Sequence, residues 1–107
     1  MQKYRNKKTV RDGFTFDSKA EAIRYLELIL RQRTGEISGL SLQHEFELIP
    51  KQAGERSVKY KADFAYNENG KFIVEDVKSK ATITPVYIIK RKLMLERHGI
   101  RIREIMT

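Results

Sequence analysis

The sequence predicts an α/β domain whose elements run in the order helix, three strands, helix, strand. Two segments combine good helix caps with apolar residues three and four positions apart, which is typical of amphipathic helices. Between them, alternating apolar residues and the turn signal Asn69-Gly70 predict strands and a hairpin. The length of 107 residues fits a single domain, residues 1–107, with a modest core.

The charge balance favours a polyanionic partner. The formal net charge is +8, because 22 Lys and Arg stand against 14 Asp and Glu. We expect nucleic acid first and an anionic membrane surface second, with simple solubility as the alternative. The sequence has no apolar run long enough to span a bilayer and no cysteine for disulfides or zinc thiolates. A cytoplasmic location is therefore expected.

A basic segment at about residues 1–13 precedes the first helix and includes Lys7 and Lys8. No hydrophobic stretch of the secretory type follows it. The segment predicts either a flexible arm that follows a phosphate backbone or a solvated terminus.

The first helix is predicted from Ser18 to about Arg33. Its apolar stripe consists of Ala22, Ile23, Leu26, Ile29 and Leu30. Ser18 and Glu21 have the spacing of a capping box, in which the glutamate bonds back to the N-cap amide. Glu21 also lies at the edge of the apolar stripe, where it can reach a site at the rim of the packed face. From spacing alone, capping is the favoured role.

Two strands are predicted at residues 40–49 and 57–66. On the first strand, one face is predicted to carry Leu40, Leu42, Phe46 and Leu48, and the opposite face carries Gln43. On the second strand, one face is predicted to carry Val58, Tyr60, Ala62, Phe64 and Tyr66. Asp63 lies on the polar face of the second strand. Aspartate is depleted in strands, and an exposed ion pair would contribute only ~0–1 kcal/mol. A functional role for Asp63 is therefore favoured over a surface ion pair with lysine.

The stretch FIVEDVK, residues 72–78, carries the main functional signal. Alternate side chains of a strand share a face, so Asp76 and Lys78 point one way and Glu75 and Val77 the other. The hairpin turn at about residues 67–70 brings Asp63 close to the level of Asp76. Two such carboxylates can bind one hard cation, and a lysine beside them can approach the attacking water or the developing charge.

The second helix is predicted at residues 84–98, since Thr84-Pro85 is a good start and Gly99 a stop. Its buried stripe is predicted to be Val86, Ile89 and Leu93. The helix starts just after the Asp76 strand, so its first turns can overhang the same cleft. Lys90 is then placed to meet a phosphate, with Tyr87 nearby. A last strand is predicted at residues 100–105.

The whole arrangement resembles the PD-(D/E)XK nuclease superfamily, which has a restriction-endonuclease-like αβββαβ core with a mixed central sheet flanked by helices. The closer likeness is to a small phage-encoded family that resembles Holliday-junction-resolvase-like endonucleases. The stretches that carry it are DGFTFDSKAEAIRYLEL (12–28), YKADF (60–64), VEDVKSK (74–80) and YIIKRKLM (87–94). One departure is visible, because Ala62 stands where the name of the motif has proline.

The resemblance implies a Mg²⁺- or Mn²⁺-dependent DNA endonuclease acting on branched or junction DNA in phage recombination or replication. Asp63, Asp76 and the backbone carbonyl of Val77 would ligate the metal, and Glu21 would complete its shell directly or through water. Lys78 would orient or activate the attacking water. The expected DNA contacts are Lys90, Tyr87, Gln43, Lys7 and Lys8.

A homodimer in the host cytoplasm is expected by analogy with junction resolvases, which need two active sites. The alternative is a non-catalytic nucleic-acid-binding module on the same fold. Such a module does not need Asp63, Asp76 and Lys78 at one place.

Overall fold

The computed structural model describes residues 8–107. The helices are α1 (Lys19–Arg33) and α2 (Pro85–His98); the strands are β1 (Thr9–Arg11), β2 (Phe14–Phe16), β3 (Ser38–Ile49), β4 (Val58–Glu68), β5 (Lys71–Lys78) and β6 (Arg103–Met106). A short 3₁₀ turn at Lys80–Thr82 links β5 to α2. The predicted order of helix, three strands, helix and strand is confirmed, with a hairpin added before it. The last strand begins three residues later than predicted.

The hairpin of β1 and β2 corrects the prediction for the N-terminal segment. β1 pairs with β2 antiparallel, so residues 9–13 belong to a turn and strand and not to a basic arm. Asp12 and Gly13 make the turn in left-handed conformations, with φ of 50° and 80°. Lys8 is exposed just before β1. Lys7 and the rest of the predicted arm lie outside the described residues.

The other four strands form one mixed sheet in the order β3-β4-β5-β6. β3, β4 and β5 are antiparallel neighbours, whereas β6 runs parallel to β5. The β4–β5 hairpin turns at Asn69-Gly70, where both residues have the positive φ that a tight two-residue turn requires. Because α2 connects β5 to β6, the last strand returns in the same direction as β5.

The two helices cover opposite faces of this sheet, which separates the core into two apolar clusters. The cluster under α1 consists of Phe16, Ala22, Tyr25, Leu28, Ile37, Phe64 and Tyr66. The cluster under α2 consists of Leu48, Tyr60, Ala62, Ala65, Val74, Tyr87, Met94 and Ile102. Along β5, Ile73 packs against the first cluster and Val74 belongs to the second, as strand alternation requires.

The predicted single apolar face of β3 is wrong. Leu40 and Leu42 pack against the α1 cluster, whereas Phe46 and Leu48 contribute to the α2 side. Gln43 lies between these pairs and has a left-handed φ of 55°. A left-handed residue interrupts the regular pleat, so the strand presents different faces on its two sides.

The predicted single apolar face of β4 is also wrong. Tyr60 and Ala62 belong to the α2 cluster, but Phe64 and Tyr66 belong to the α1 cluster. The change of face falls at Asp63, which lies opposite Gln43 in the β3–β4 register. The irregularity therefore crosses two neighbouring strands at one level of the sheet.

Both helices are rotated relative to their predicted stripes, although Ala22 and Ile29 of α1 and Leu93 of α2 pack on the core as predicted. In α1, Ile23, Leu26 and Leu30 are exposed, and the buried residues are Glu21, Ala22, Tyr25 and Leu28. In α2, Val86 and Ile89 are 63% and 58% exposed, and the buried residues are Tyr87 and Met94. Aromatic rings bury more area than the aliphatic side chains they displace, which favours these faces. The rotation of α1 turns Glu21 inward.

Candidate active site

Two adjoining cavities, of about 420 and 360 Å³, lie at the end of β5 between the first turns of α1 and α2. Asp63, Asp76 and Lys78 line both of them. The larger cavity extends to Glu21 of α1, and the smaller one extends to Lys90 of α2. The candidate residues from the helix, the hairpin and the strand therefore meet in one place.

Asp63 owes its position to the change of face in β4. The β4–β5 register pairs Phe64 with Glu75, so its continuation sets Asp63 opposite Asp76. Asp63 Oδ2 accepts a hydrogen bond of 2.8 Å from the backbone N–H of Val77. The carboxylate thus takes a donor that a regular antiparallel ladder would give to a backbone carbonyl. The result is a carboxylate fixed to the backbone of β5.

Asp76 and Lys78 share the α2-facing side of β5, as alternation predicts. Lys78 Nζ lies 3.3 Å from Asp76 Oδ2 and 4.1 Å from the centre of the Tyr87 ring. The ring attracts the ammonium group through its negative face. Asp76 is only 4% exposed. Two contacts therefore hold the ammonium beside a buried carboxylate.

Glu21 lines the larger cavity and forms only part of the predicted capping box. The Ser18 hydroxyl accepts the Glu21 N–H at 3.1 Å, so the N-cap half of the predicted capping box is formed. The other half, a bond from the carboxylate to the Ser18 amide, is not formed in the described part of the chain. Glu21 Oε1 instead accepts a bond of 3.2 Å from Gln43 Nε2.

Negative charge exceeds positive charge at the base of the cavities. Burial first, and then a hydrogen bond to Asp76 and its charge, raise the pKa of Asp63 far above its usual range. Burial first, and then the charges of Asp17 and Asp76, raise the pKa of Glu21 to about 7. Among residues 8–107, Lys78 is the one cation within ion-pair distance of any of these acids. The site therefore takes up either protons or an added cation.

The donor chemistry fits a hard divalent cation, although a complete ligand set is not preassembled. Within residues 8–107, no three His, Cys, Asp or Glu side chains lie close enough together to hold a metal ion. Asp63 and Asp76 form a pair, whereas Glu21 is held by Gln43. Oxygen ligands from two carboxylates, completed by water or phosphate oxygens, are what Mg²⁺ and Mn²⁺ take. Val77 lines the larger cavity beside this pair.

The residues expected to contact DNA have different surroundings. Lys90 lines the smaller cavity. Tyr87 is 6% exposed, and its hydroxyl donates a hydrogen bond to Glu104 at 2.6 Å. Its ring contacts Lys78, so neither the ring nor the hydroxyl is free to contact DNA in this structure. Gln43 is exposed and holds Glu21. Gln43 therefore acts on a carboxylate of the site in addition to facing solvent.

Sequence reasoning missed Tyr60 and Asp17 as residues of the site. Both line the smaller cavity. Tyr60 falls on an alternating apolar face, which in a sequence is indistinguishable from core packing. Asp17 directly precedes the N-cap, where an acid is common for helix-dipole reasons. Neither residue carries a local signal that separates a site residue from a structural one.

No helix in the described part of the chain has both the length and the apolar composition that crossing a membrane requires.

Fold and site together define a mixed α/β domain with a buried cluster of carboxylates beside one lysine. The chain belongs to the family described as protein of unknown function (DUF1064), whose model matches residues 1–105. No curated protein and no solved structure gives a significant match. The description of the family names no activity, so a function can be inferred only from the geometry of the site.

Proposed function

We propose that this protein is a metal-dependent DNA endonuclease that hydrolyses phosphodiester bonds on a restriction-endonuclease-like core of the PD-(D/E)XK type. The observation that carries the proposal is the meeting of Asp63, Asp76 and Lys78 in one cavity with surplus negative charge. The strand order, with β6 parallel to β5, is compatible with that core. A structural ion-pair network would instead balance its charges.

Asp63 and Asp76 are the proposed ligands of Mg²⁺ or Mn²⁺, with the backbone carbonyl of Val77 as a further ligand. When bound, such an ion supplies a Lewis acid for the phosphate and a more acidic water as the nucleophile. Asp63 is preorganised for this role because its hydrogen bond to Val77 N–H fixes one carboxylate oxygen. Glu21 is proposed to hold water at the edge of the same site.

Lys78 is proposed to stabilise the negative charge that develops on the phosphate oxygens or to orient the attacking water. An ammonium that is already fixed in position does this at little reorganisation cost. The Tyr87 ring and Asp76 hold Lys78 on two sides. Its position is therefore set before the substrate arrives.

The net charge of +8 supports binding to the backbone of a nucleic acid, which makes affinity steeply salt-dependent. Lys90 at the first turns of α2 is proposed to contact a phosphate next to the cleaved one. Branched or junction DNA as the substrate, a homodimer as the active form and a role in phage recombination or replication follow from the resemblance alone.

The test is an incubation of the protein with four-way, flapped, single-stranded and linear duplex DNA in Mg²⁺, Mn²⁺ or EDTA. We expect metal-dependent cleavage that Asp76→Asn reduces by about 10²-fold or more. Glu96→Gln, which changes an exposed carboxylate outside the cavities, is the matched control and should cleave like wild type. Tight DNA binding without cleavage by any variant would favour the non-catalytic binding module.

A further inference from the structure

The hydroxyl of Tyr60 differs from the other tyrosine hydroxyls of the described chain. Tyr25 donates to Asp12, Tyr66 to Glu75 and Tyr87 to Glu104. Within residues 8–107, Tyr60 Oη is the one buried side-chain oxygen or nitrogen without a hydrogen-bond partner. A buried hydroxyl without a partner is unfavourable compared with the phenylalanine that would fill the same space.

Tyr60 lies next to the carboxylates of the proposed metal site. It faces α2 from β4, as Asp76 does from β5, and both residues line the smaller cavity with Asp63. A phenol hydroxyl that faces an ionised carboxylate donates a hydrogen bond to it. The ring is stacked on Phe46 at 6.4 Å. The Tyr60 hydroxyl is therefore a hydrogen-bond donor in the same cavity as Asp76, and its ring is held in place by packing.

The hydroxyl is too well covered to meet a substrate directly. Tyr60 is 4% exposed, and its oxygen is inaccessible to water. Its partner must therefore come from the protein, and Asp76 is the candidate acceptor that lines the same cavity from the same side of the sheet.

We propose that Tyr60 is a positioning residue for Asp76, whose carboxylate accepts a hydrogen bond from Tyr60 Oη when it ligates the cation of the proposed site. The inference rests on the proposed function. Ligating carboxylates are themselves commonly hydrogen-bonded by such outer partners.

The variant Tyr60→Phe separates positioning from packing, because it removes the hydroxyl and keeps the ring. In EDTA, we expect its melting temperature to equal or exceed that of wild type. In titration calorimetry with Mn²⁺ we expect its affinity to fall about tenfold, in line with the loss of an outer partner of a metal ligand. Excess Mn²⁺ should then restore its cleavage rate.

The matched control is Tyr25→Phe, which removes a hydroxyl that is bonded to Asp12 on the other face of the sheet. We expect it to lower the melting temperature in EDTA and to leave Mn²⁺ affinity unchanged. Equal Mn²⁺ affinity of wild type and Tyr60→Phe would overturn the inference and leave the proposed nuclease intact. Absence of Mn²⁺ binding by wild type would overturn the proposed metal site, and the inference with it.

Discussion

Two adjacent residues of β5, Glu75 and Asp76, place buried carboxylates on opposite faces of the sheet. The two carboxylates differ in the hydrogen-bond and ion-pair partners that they have. Glu75 is fully buried under α1, where Arg24 Nε and Nη2 donate to its two oxygens at 2.9 and 2.6 Å. The Tyr66 hydroxyl donates to it as well. Asp76 is almost as buried, but it shares one ammonium group with two neighbouring acids.

This difference shows that burial of a carboxylate does not by itself identify a functional site. A bidentate arginine and a hydroxyl satisfy Glu75 completely, so nothing further has to bind there. On the Asp76 side the carboxyl groups outnumber the one ammonium group, and clusters of this kind occur at binding and catalytic sites. The ratio of carboxylates to cations, and not their depth, is the feature that separates the two faces.

The largest expected effect comes from removing the cation on the Glu75 side. Arg24→Met leaves Glu75 buried without its partner, and we expect the free energy of unfolding to fall by about 3–5 kcal/mol. Urea denaturation measures this loss. Arg33→Met, on an exposed part of the same helix, should stay within about 0.5 kcal/mol of wild type. A loss as small as that of the control would mean that Tyr66 alone satisfies Glu75.

Removing the ammonium group of Lys78 should lower the cleavage rate more than it lowers the free energy of unfolding. We expect Lys78→Met to reduce metal-dependent cleavage by about 10²–10³-fold. Its free energy of unfolding should change less than that of Arg24→Met, because acids that line an open cavity can bind protons or water. Initial cleavage rates and urea denaturation test the two statements. Lys92→Met, exposed on α2, is the control, and equal rates for the two lysine variants would contradict the assignment of Lys78.

The smallest expected effect is a gain in the stability of the folded protein when Asp63 is replaced by Asn. Above the usual pKa of aspartate, near 3.8, folded Asp63 binds more protons than unfolded Asp63, because its pKa is raised in the fold. Stability therefore falls as pH rises above that value, and Asp63→Asn removes this contribution. In EDTA at pH 7 we expect the variant to be about 0.5–2 kcal/mol more stable than wild type.

Thermal denaturation of wild type and Asp63→Asn at pH 5 and pH 8 measures this contribution, with and without Mg²⁺. The difference between the two proteins should widen toward pH 8 in EDTA and narrow when Mg²⁺ is added. A wild-type advantage at every pH would show that Asp63 is structural, in the same way as Glu75.

The local part of the site could be predicted from the sequence. The Asn69-Gly70 turn and the two-residue period of β5 set Asp76 and Lys78 on one face, Glu75 on the other and Asp63 at the level of Asp76. The limits of α2 also followed from Thr84-Pro85 and Gly99. These features depend on residues close together in the chain, where caps, turns and alternation act directly.

The tertiary structure alone decided which partner each acid received. Arg24 lies 51 residues from Glu75 in the chain, and Gln43 lies 22 residues from Glu21. The left-handed Gln43 and the change of face at Asp63 also have no local signal, and the same is true of the rotation of α1 that turns Glu21 inward. In β5 the alternation of polar and apolar residues gave the buried side correctly, whereas in β3, β4 and both helices it did not. The pairing of charges across the sheet depends on how whole elements pack together.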